Sequence, residues 1–188
     1  MKTIPTALVA ALFYTGAQAQ VEDTSYVDGA GHRVQQLKAV LAAPVARVWE
    51  ALTTDKGFAS WAAPMAHVTL GNDGMIEASY DPAAKLGDPD NIRNRIVAYV
   101  PERVLVLANE HAPKGVKFSP EAFARIRTVI ELEDLGNGRT RLVESGVGYG
   151  EGTDFDSVYK HFRAGNAYEF QLLVDLFVKG PVDWAAVK

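Results

Sequence analysis

The feature that most restricts the fold is a long amphipathic segment near the carboxyl end of the chain, from Asp154 to Lys179. Asp154 or Asp156 can cap its start, and Gly180-Pro181 ends it. Its apolar side chains recur at the three- and four-residue steps of one helical face: Phe155, Tyr159, Phe162, Phe170, Leu173 and Phe177. A helix of this kind must bury its apolar face against another layer.

The segment from Met65 to Val147 supplies that layer, because short alternating runs are separated by turn signals. Gly71-Asn72-Asp73-Gly74 and Gly136-Asn137-Gly138 indicate hairpins, since Asn and Gly tolerate positive φ. The pattern predicts five or six antiparallel strands in a meander. One predicted strand face carries Ile92, Asn94, Ile96, Ala98 and Val100, and another carries Ile126, Thr128, Ile130 and Leu132.

The segment before the meander predicts one strand and two short helices. Arg33 to Leu41 alternates as a strand does, and Pro44 opens a helix because its missing N–H costs nothing there. Thr53-Thr54-Asp55 ends that helix and caps a second one running towards Trp61. The whole order predicts an α+β fold in which a curved antiparallel sheet wraps around the long C-terminal helix. The space between sheet and helix is the natural ligand site of such an architecture.

The first nineteen residues predict a secretory signal peptide. Lys2 supplies a positive charge, an apolar run extends from Ile4 to Tyr14, and Ala17-Gln18-Ala19 matches the small-x-small pattern of a cleavage site. A buried N-terminal helix is the alternative, but no polar stripe or N-cap accompanies the run. The expected organisation is a signal peptide at 1–19, an irregular polar arm at 20–32 and one domain at 33–184. Cleavage near Ala19 would release the protein into the periplasm or the medium.

Composition excludes several classes of function. A net charge of −4 argues against a nucleic-acid partner, and no stretch is apolar enough for stable membrane insertion. The absence of cysteine removes thiolate nucleophiles and Cys-ligated metals. No histidine pair has zinc-site spacing and no Gly-x-Ser-x-Gly elbow occurs, so we expect no metal and no cofactor. The glycine-rich run 146–152 predicts a flexible loop at the cavity entrance, since the parallel strand that a dinucleotide site needs is missing.

Four segments carry a resemblance to a known family. The run 41–54 reads LAAPVARVWEALTT, 61–64 reads WAAP, 162–168 reads FRAGNAY, and 180–184 reads GPVDW. Together they resemble the activator of heat-shock protein 90 ATPase homologue (AHSA-type) family of the SRPBCC, START-like helix-grip superfamily. The likeness extends over residues 33–184.

The resemblance implies a β-α-α-β(six)-α helix-grip fold with an internal cavity. It does not imply the co-chaperone role, because the co-chaperones carry an additional N-terminal chaperone-binding domain for which this chain has no room. We therefore expect a protein that binds a small hydrophobic or amphipathic ligand. An enzyme of the same fold (a cyclase, dehydratase or hydrolase) and a protein-binding module are the two alternatives.

The ligand-binding candidates lie on the final helix, on two strands and at the end of the second short helix. They are Trp61, Asn94, Thr128, Phe155, Tyr159, Phe162, Asn166, Phe170 and Leu173. Asn166 interrupts the apolar stripe, so it either orients a ligand or makes a structural hydrogen bond. Gly165 beside it indicates a close approach of helix to sheet, with room for a ligand as the second explanation.

Weak catalytic candidates are Glu144, His161 and Tyr168. Glu144 shares a strand face with Leu142, so it can point inward, and a buried carboxyl group has a perturbed proton affinity. Three arginines, Arg93, Arg95 and Arg127, are expected on the outer face of the sheet. A different strand register would instead turn one of them into the cavity to hold a carboxylate.

Overall fold

The computed structural model describes residues 20–71, 73–112 and 119–187. The predicted signal peptide, residues 1–19, lies outside the described residues. The elements follow one another as β1 (Glu22–Asp23), β2 (Tyr26–Val27), β3 (Arg33–Leu41), α1 (Val45–Thr53), α2 (Asp55–Ala59), β4 (Met65–Thr69), β5 (Met75–Ser79), β6 (Ile92–Val100), β7 (Val104–His111), α3 (Pro120–Arg125), β8 (Arg127–Gly136), β9 (Arg139–Tyr149) and α4 (Thr153–Lys179).

The strands form one antiparallel sheet in the order β1-β3-β9-β8-β7-β6-β5-β4, with β2 also paired to β3. The predicted meander is therefore confirmed as six consecutive strands, β4 to β9. The last strand of the meander pairs with β3, which carries the two short helices after it. The long helix α4 follows directly and covers the inner face of the sheet. This is the predicted α+β helix-grip architecture.

The two short helices begin where the sequence indicates, but the second is shorter than predicted. Pro44 precedes α1, and the Thr54 hydroxyl caps α2 by accepting a hydrogen bond from the backbone N–H of Gly57 at 3.0 Å. The helix α2 is one turn long and ends at Ala59, before Trp61. The indole Nε1 of Trp61 donates to the carbonyl of Ala51 at 2.9 Å, which fixes the ring against α1.

The apolar stripe of α4 packs into two separate hydrophobic clusters. Near the carboxyl end, Phe170, Leu173 and Val174 join the main core between the sheet and α1. Near the amino end, Val158 packs with residues of α3 and β9, and Phe155, Tyr159 and Phe162 lie against it. The helix is thus anchored at both ends, and its middle turns, residues 161–169, lie between the two anchors.

Residues 20–32, predicted to be irregular, contain the strands β1 and β2. They pair with β3, where Glu22 lies opposite Lys38 and Tyr26 opposite Val34. The Arg163 guanidinium of α4 holds Asp23 at 2.9 Å. The arm therefore adds an edge to the sheet next to the final helix, because its backbone satisfies the otherwise unpaired side of β3.

The prediction of a flexible loop over 146–152 is wrong for its first half. Residues 146–149 belong to β9, where Gly146 pairs with both Gln35 and Thr128. Gly148 has a positive φ of 97°, and a Cβ there would lie 2.3 Å from the Arg125 carbonyl oxygen. Glycine is required at this position by the close approach of α3 to β9, not by mobility.

Strand β6 also departs from strict alternation. The pairing to β7 shifts between Ile96 and Ala98, which leaves Val97 as an extra residue. Beyond this bulge Tyr99 faces the core and Val100 is exposed, so Ala98 and Val100 do not share the inner face of Ile92, Asn94 and Ile96.

We expect Phe170→Ala to lower the free energy of unfolding by about 3–5 kcal/mol, because it removes a buried ring from the carboxyl-end anchor of α4. Phe170 is 1% exposed. Val178→Ala, on the exposed side of the same helix, should change it by less than about 0.5 kcal/mol. Urea denaturation of both variants measures this. Equal effects would show that the helix is not anchored at Phe170.

Candidate functional site

A cavity of about 560 Å³ lies between the inner face of the sheet and the middle of α4. This volume is in the range of sites that hold small organic ligands. Its walls are predominantly apolar and come from the two short helices, the strands β5 to β9, α3 and α4. The apolar lining residues are Leu52, Phe58, Trp61, Ile76, Ile92, Leu105, Leu107, Phe123, Ile130 and Phe162.

The helix wall of the cavity is one face of α4 at the spacing i, i+3, i+4, i+7: Phe162, Gly165, Asn166 and Glu169. Gly165 does not mark a close approach of helix to sheet, contrary to the sequence-based preference. A Cβ built on Gly165 would have no atom within 4 Å. The glycine therefore leaves room on the cavity side, and the second explanation for it is the one that the structure favours.

Asn166 is held by a buried amide on the neighbouring strand. Its Nδ2 donates to the Oε1 of Gln35 at 3.3 Å, and the Tyr149 hydroxyl donates to the same oxygen at 3.2 Å. The Nε2 of Gln35 donates in turn to the backbone carbonyl of Phe162 at 3.2 Å. Gln35 is 2% exposed, so this network ties α4 to β3 and β9. Of the two roles expected for Asn166, the structure shows the structural hydrogen bond. Asn166 also borders the cavity.

Polar side chains from the sheet reach the same space. Asn94 and Asn109 are directly opposite each other on β6 and β7, and both line the cavity with Thr128 of β8. The Nδ2 of Asn109 lies 3.5 Å from the carbonyl of Phe123 in α3. These groups provide hydrogen-bonding points in an otherwise apolar wall.

Glu144 points into the cavity because strand alternation places it on the inner face of β9 with Leu142. Across the sheet it is flanked by Leu37 and Ile130. Within the described residues, its carboxyl group has no hydrogen bond or ion pair. Burial, and secondarily the negative charge of Glu169, raise the pKa of Glu144 to about 8. At neutral pH this carboxyl group is mostly protonated.

Glu169 brings a second carboxyl group to the cavity from α4. The Tyr80 hydroxyl, at the end of β5, donates to its Oε1 at 2.5 Å. Burial raises the pKa of Glu169, whereas the hydrogen bond from Tyr80 opposes that shift by stabilising the carboxylate. Burial and the nearby Glu169 charge also raise the pKa of Tyr80, which keeps the phenol protonated as the donor.

The structure brings eight of the predicted residues to the cavity: Trp61, Asn94, Thr128, Glu144, His161, Phe162, Asn166 and Tyr168. Four predicted ligand-binding residues do not line it. Phe155 and Tyr159 pack in the amino-end cluster, and Phe170 and Leu173 are buried in the main core. The reason is that the apolar stripe of α4 marks the anchoring surfaces, whereas the cavity lies against the turns between them.

Sequence reasoning missed Tyr80, Asn109 and Glu169. Glu169 had a usable signal, because it lies seven residues after Phe162 and three after Asn166 on the same helical face. The alternative of an arginine in the cavity does not hold. Arg95 pairs with Glu110 at 2.7 Å, Arg127 donates to the carbonyl of Ala124, and neither they nor Arg93 line the cavity.

We expect Glu144→Gln to stabilise the protein most at pH 7–8 and to flatten its stability against pH. Folding raises the pKa of Glu144 from 4.5 to about 8, so its protonation favours the folded state. That contribution is complete below the unfolded pKa and is lost as the pH rises towards the folded pKa. In the wild type, the free energy of unfolding should therefore fall by on the order of 3 kcal/mol between pH 5 and pH 8.

Urea denaturation at several pH values measures this difference. Glu131→Gln, an exposed residue on the outer face of β8, is the matched control and should follow the wild-type profile. Parallel profiles for the wild type and Glu144→Gln would show that Glu144 is not buried as described.

Comparisons with solved structures place this geometry in a known fold. The Aha1 dimer from Colwellia psychrerythraea matches with 18% identity and a TM-score of 0.57, covering 78% of this chain and 97% of that one. CalU16 from Micromonospora echinospora matches with 17% identity and a TM-score of 0.57, covering 88% and 86%. The conserved protein EF2215 from Enterococcus faecalis matches with 15% identity and a TM-score of 0.61, covering 89% and 83%. At these identities the likeness shows the fold alone.

A comparison with curated protein sequences found no match. A family model matches residues 42–177, from the end of β3 to the last turn of α4. That range includes both short helices, the whole meander and the helical face of the cavity. The chain belongs to the family described as activator of Hsp90 ATPase homolog 1-like proteins.

Proposed function

We propose that this protein binds a small hydrophobic or amphipathic molecule in the cavity between the sheet and α4. The observation that carries the proposal is the apolar cavity of about 560 Å³ in the middle of an otherwise packed interface. Aromatic side chains at both walls, Trp61 and Phe162, offer the contact area that such a ligand needs. The amides of Asn94 and Asn109 supply hydrogen bonds that orient it.

The expected affinity follows from the area that the ligand buries. Removing roughly 300 Å² of apolar ligand surface from water contributes about 7 kcal/mol before entropy costs. After the loss of translational and rotational freedom, binding in the micromolar range is a reasonable expectation.

We expect Gly165→Leu to weaken ligand binding at least about tenfold without destabilising the fold. The leucine side chain would extend into the cavity, and replacing a helical glycine favours the helix by up to about 1 kcal/mol. Gly165→Ala is the matched control, since it gains the same helix propensity and leaves the cavity open. The neutral fluorescent probe N-phenyl-1-naphthylamine, titrated into all three proteins, measures the affinity. Equal affinities would place the ligand elsewhere, and no binding to the wild type would contradict the proposed function.

A second candidate function is catalysis in the same cavity, and the observation that favours it is the environment of Glu144. A carboxyl group with a pKa of about 8 exchanges protons near neutral pH, as a general acid or base must. His161 and Tyr168 are exposed at the cavity and give weaker support. If a compound that binds the protein were recovered from it in chemically altered form, this would show that the cavity is catalytic.

The third alternative, a protein-binding module with a collapsed sheet–helix interface, has less support. The cavity is open rather than collapsed, and the apolar lining faces α4.

None of the described helices is both long and apolar enough to cross a membrane.

Export is part of the same proposal. The charged start, the short apolar run and Ala17-Gln18-Ala19 support a cleavable signal peptide. When the full-length chain is expressed in a bacterial host, we expect the mature protein in the periplasmic or secreted fraction with Gln20 as its first residue. Intact-mass measurement of that fraction tests the expectation, with Ala19→Arg as the variant that should block cleavage. An uncleaved wild-type chain confined to the cytoplasm would contradict it.

A further inference from the structure

The charge of the cavity lining restricts the kind of ligand further, on the assumption that the cavity binds one. The lining residues include two carboxyl groups, Glu144 and Glu169, and no lysine or arginine within the described part of the chain. An anionic ligand such as a fatty acid would therefore find no cation among these residues to hold it. In a space of low dielectric an unpaired charge is costly.

The two carboxyl groups are not equivalent. Glu169 accepts the 2.5 Å hydrogen bond from Tyr80, which stabilises its charged form. Glu144 has no partner among the described residues, and its strand neighbours Leu37 and Ile130 are apolar. A carboxyl group that faces an apolar cavity without a partner has an unmade hydrogen bond, and a ligand cation would supply that partner.

We infer that the cavity takes an amphipathic amine, whose apolar body lies against the aromatic walls and whose ammonium group pairs with Glu144 and Glu169. An ammonium group is the complement of this lining, because it gives Glu144 the hydrogen-bond donor that none of the described residues supplies. The apolar part of the molecule fits the walls formed by Trp61 and Phe162. A neutral ligand of the same shape would satisfy the walls and leave both carboxyl groups without a cation.

Binding of an amine should release a proton. Glu144 is mostly protonated in the empty cavity at pH 7, and a cation beside it favours the carboxylate. The other titratable groups facing this region are Glu169 and Tyr80, Tyr149 on β9, and His161 and Tyr168 on α4. Burial keeps the two phenols Tyr80 and Tyr149 protonated, so Glu144 is the main source of the proton.

The test compares three probes with the same chain and different head groups: decylamine, 1-decanol and decanoate. Each is used to displace N-phenyl-1-naphthylamine from the mature protein at pH 7. We expect decylamine to compete at a concentration at least about tenfold lower than decanol, and decanoate to compete least. Isothermal titration calorimetry in buffers of different ionisation enthalpy should show the release of about one proton on decylamine binding.

Glu144→Gln should abolish the proton release and weaken the preference for decylamine, since Glu169 alone then remains as a partner, while N-phenyl-1-naphthylamine still binds and shows that the cavity is intact. Glu131→Gln, on the outer face, should behave as the wild type does. Decanol or decanoate competing as well as decylamine would overturn the inference and leave the proposed function standing. A preference for decylamine that is as large in Glu144→Gln as in the wild type would also overturn it. Failure of N-phenyl-1-naphthylamine itself to bind would instead count against the proposed function.

Discussion

The helix α4 packs into apolar clusters at its two ends, whereas hydrogen bonds with Gln35 and Tyr80 hold its middle turns beside a cavity, and the rest of the structure depends on this arrangement. The carboxyl-end anchor is the main core around Phe170, and the amino-end anchor is the cluster around Val158. Between them the Gln35 network holds the backbone of α4 at Phe162 through hydrogen bonds rather than apolar packing. The packing energy of the two anchors thus offsets the destabilisation that the unfilled space between them causes.

The polar groups in that space are the reason why we propose an amphipathic rather than a purely apolar ligand. Glu144 is placed inward by the alternation of β9, and Glu169 by the helical spacing from Phe162. Neither carboxyl group is neutralised by an arginine, because Arg95 and Arg127 point away from the cavity to other partners. A fold that only needed stability would be served better by apolar side chains at both positions. The two carboxyl groups are therefore better explained as parts of a binding site than as contributions to stability.

Much of this fold could be predicted from periodicity and turn chemistry. The helix, the six-strand meander and the two short helices all follow from local patterns, and the inward direction of Glu144 follows from its spacing to Leu142. The division of α4 into anchors and a cavity wall could not be predicted, because Phe155 and Phe162 look identical in an apolar stripe. The point at which the sheet and α4 separate depends on strand register. A single bulge at Val97 changes which residues of β6 face inward. Glu169 was missed because a charged residue on an amphipathic helix usually marks the side facing water.

The most direct test of the central claim is a crystal structure of residues 20–188 under xenon pressure. Xenon enters apolar cavities that are otherwise empty, and its anomalous scattering locates it without knowledge of the natural ligand. The account predicts a xenon peak between the sheet and α4, bordered by Trp61, Phe162 and Gly165. A structure in which side chains fill that space and no xenon binds there would contradict it.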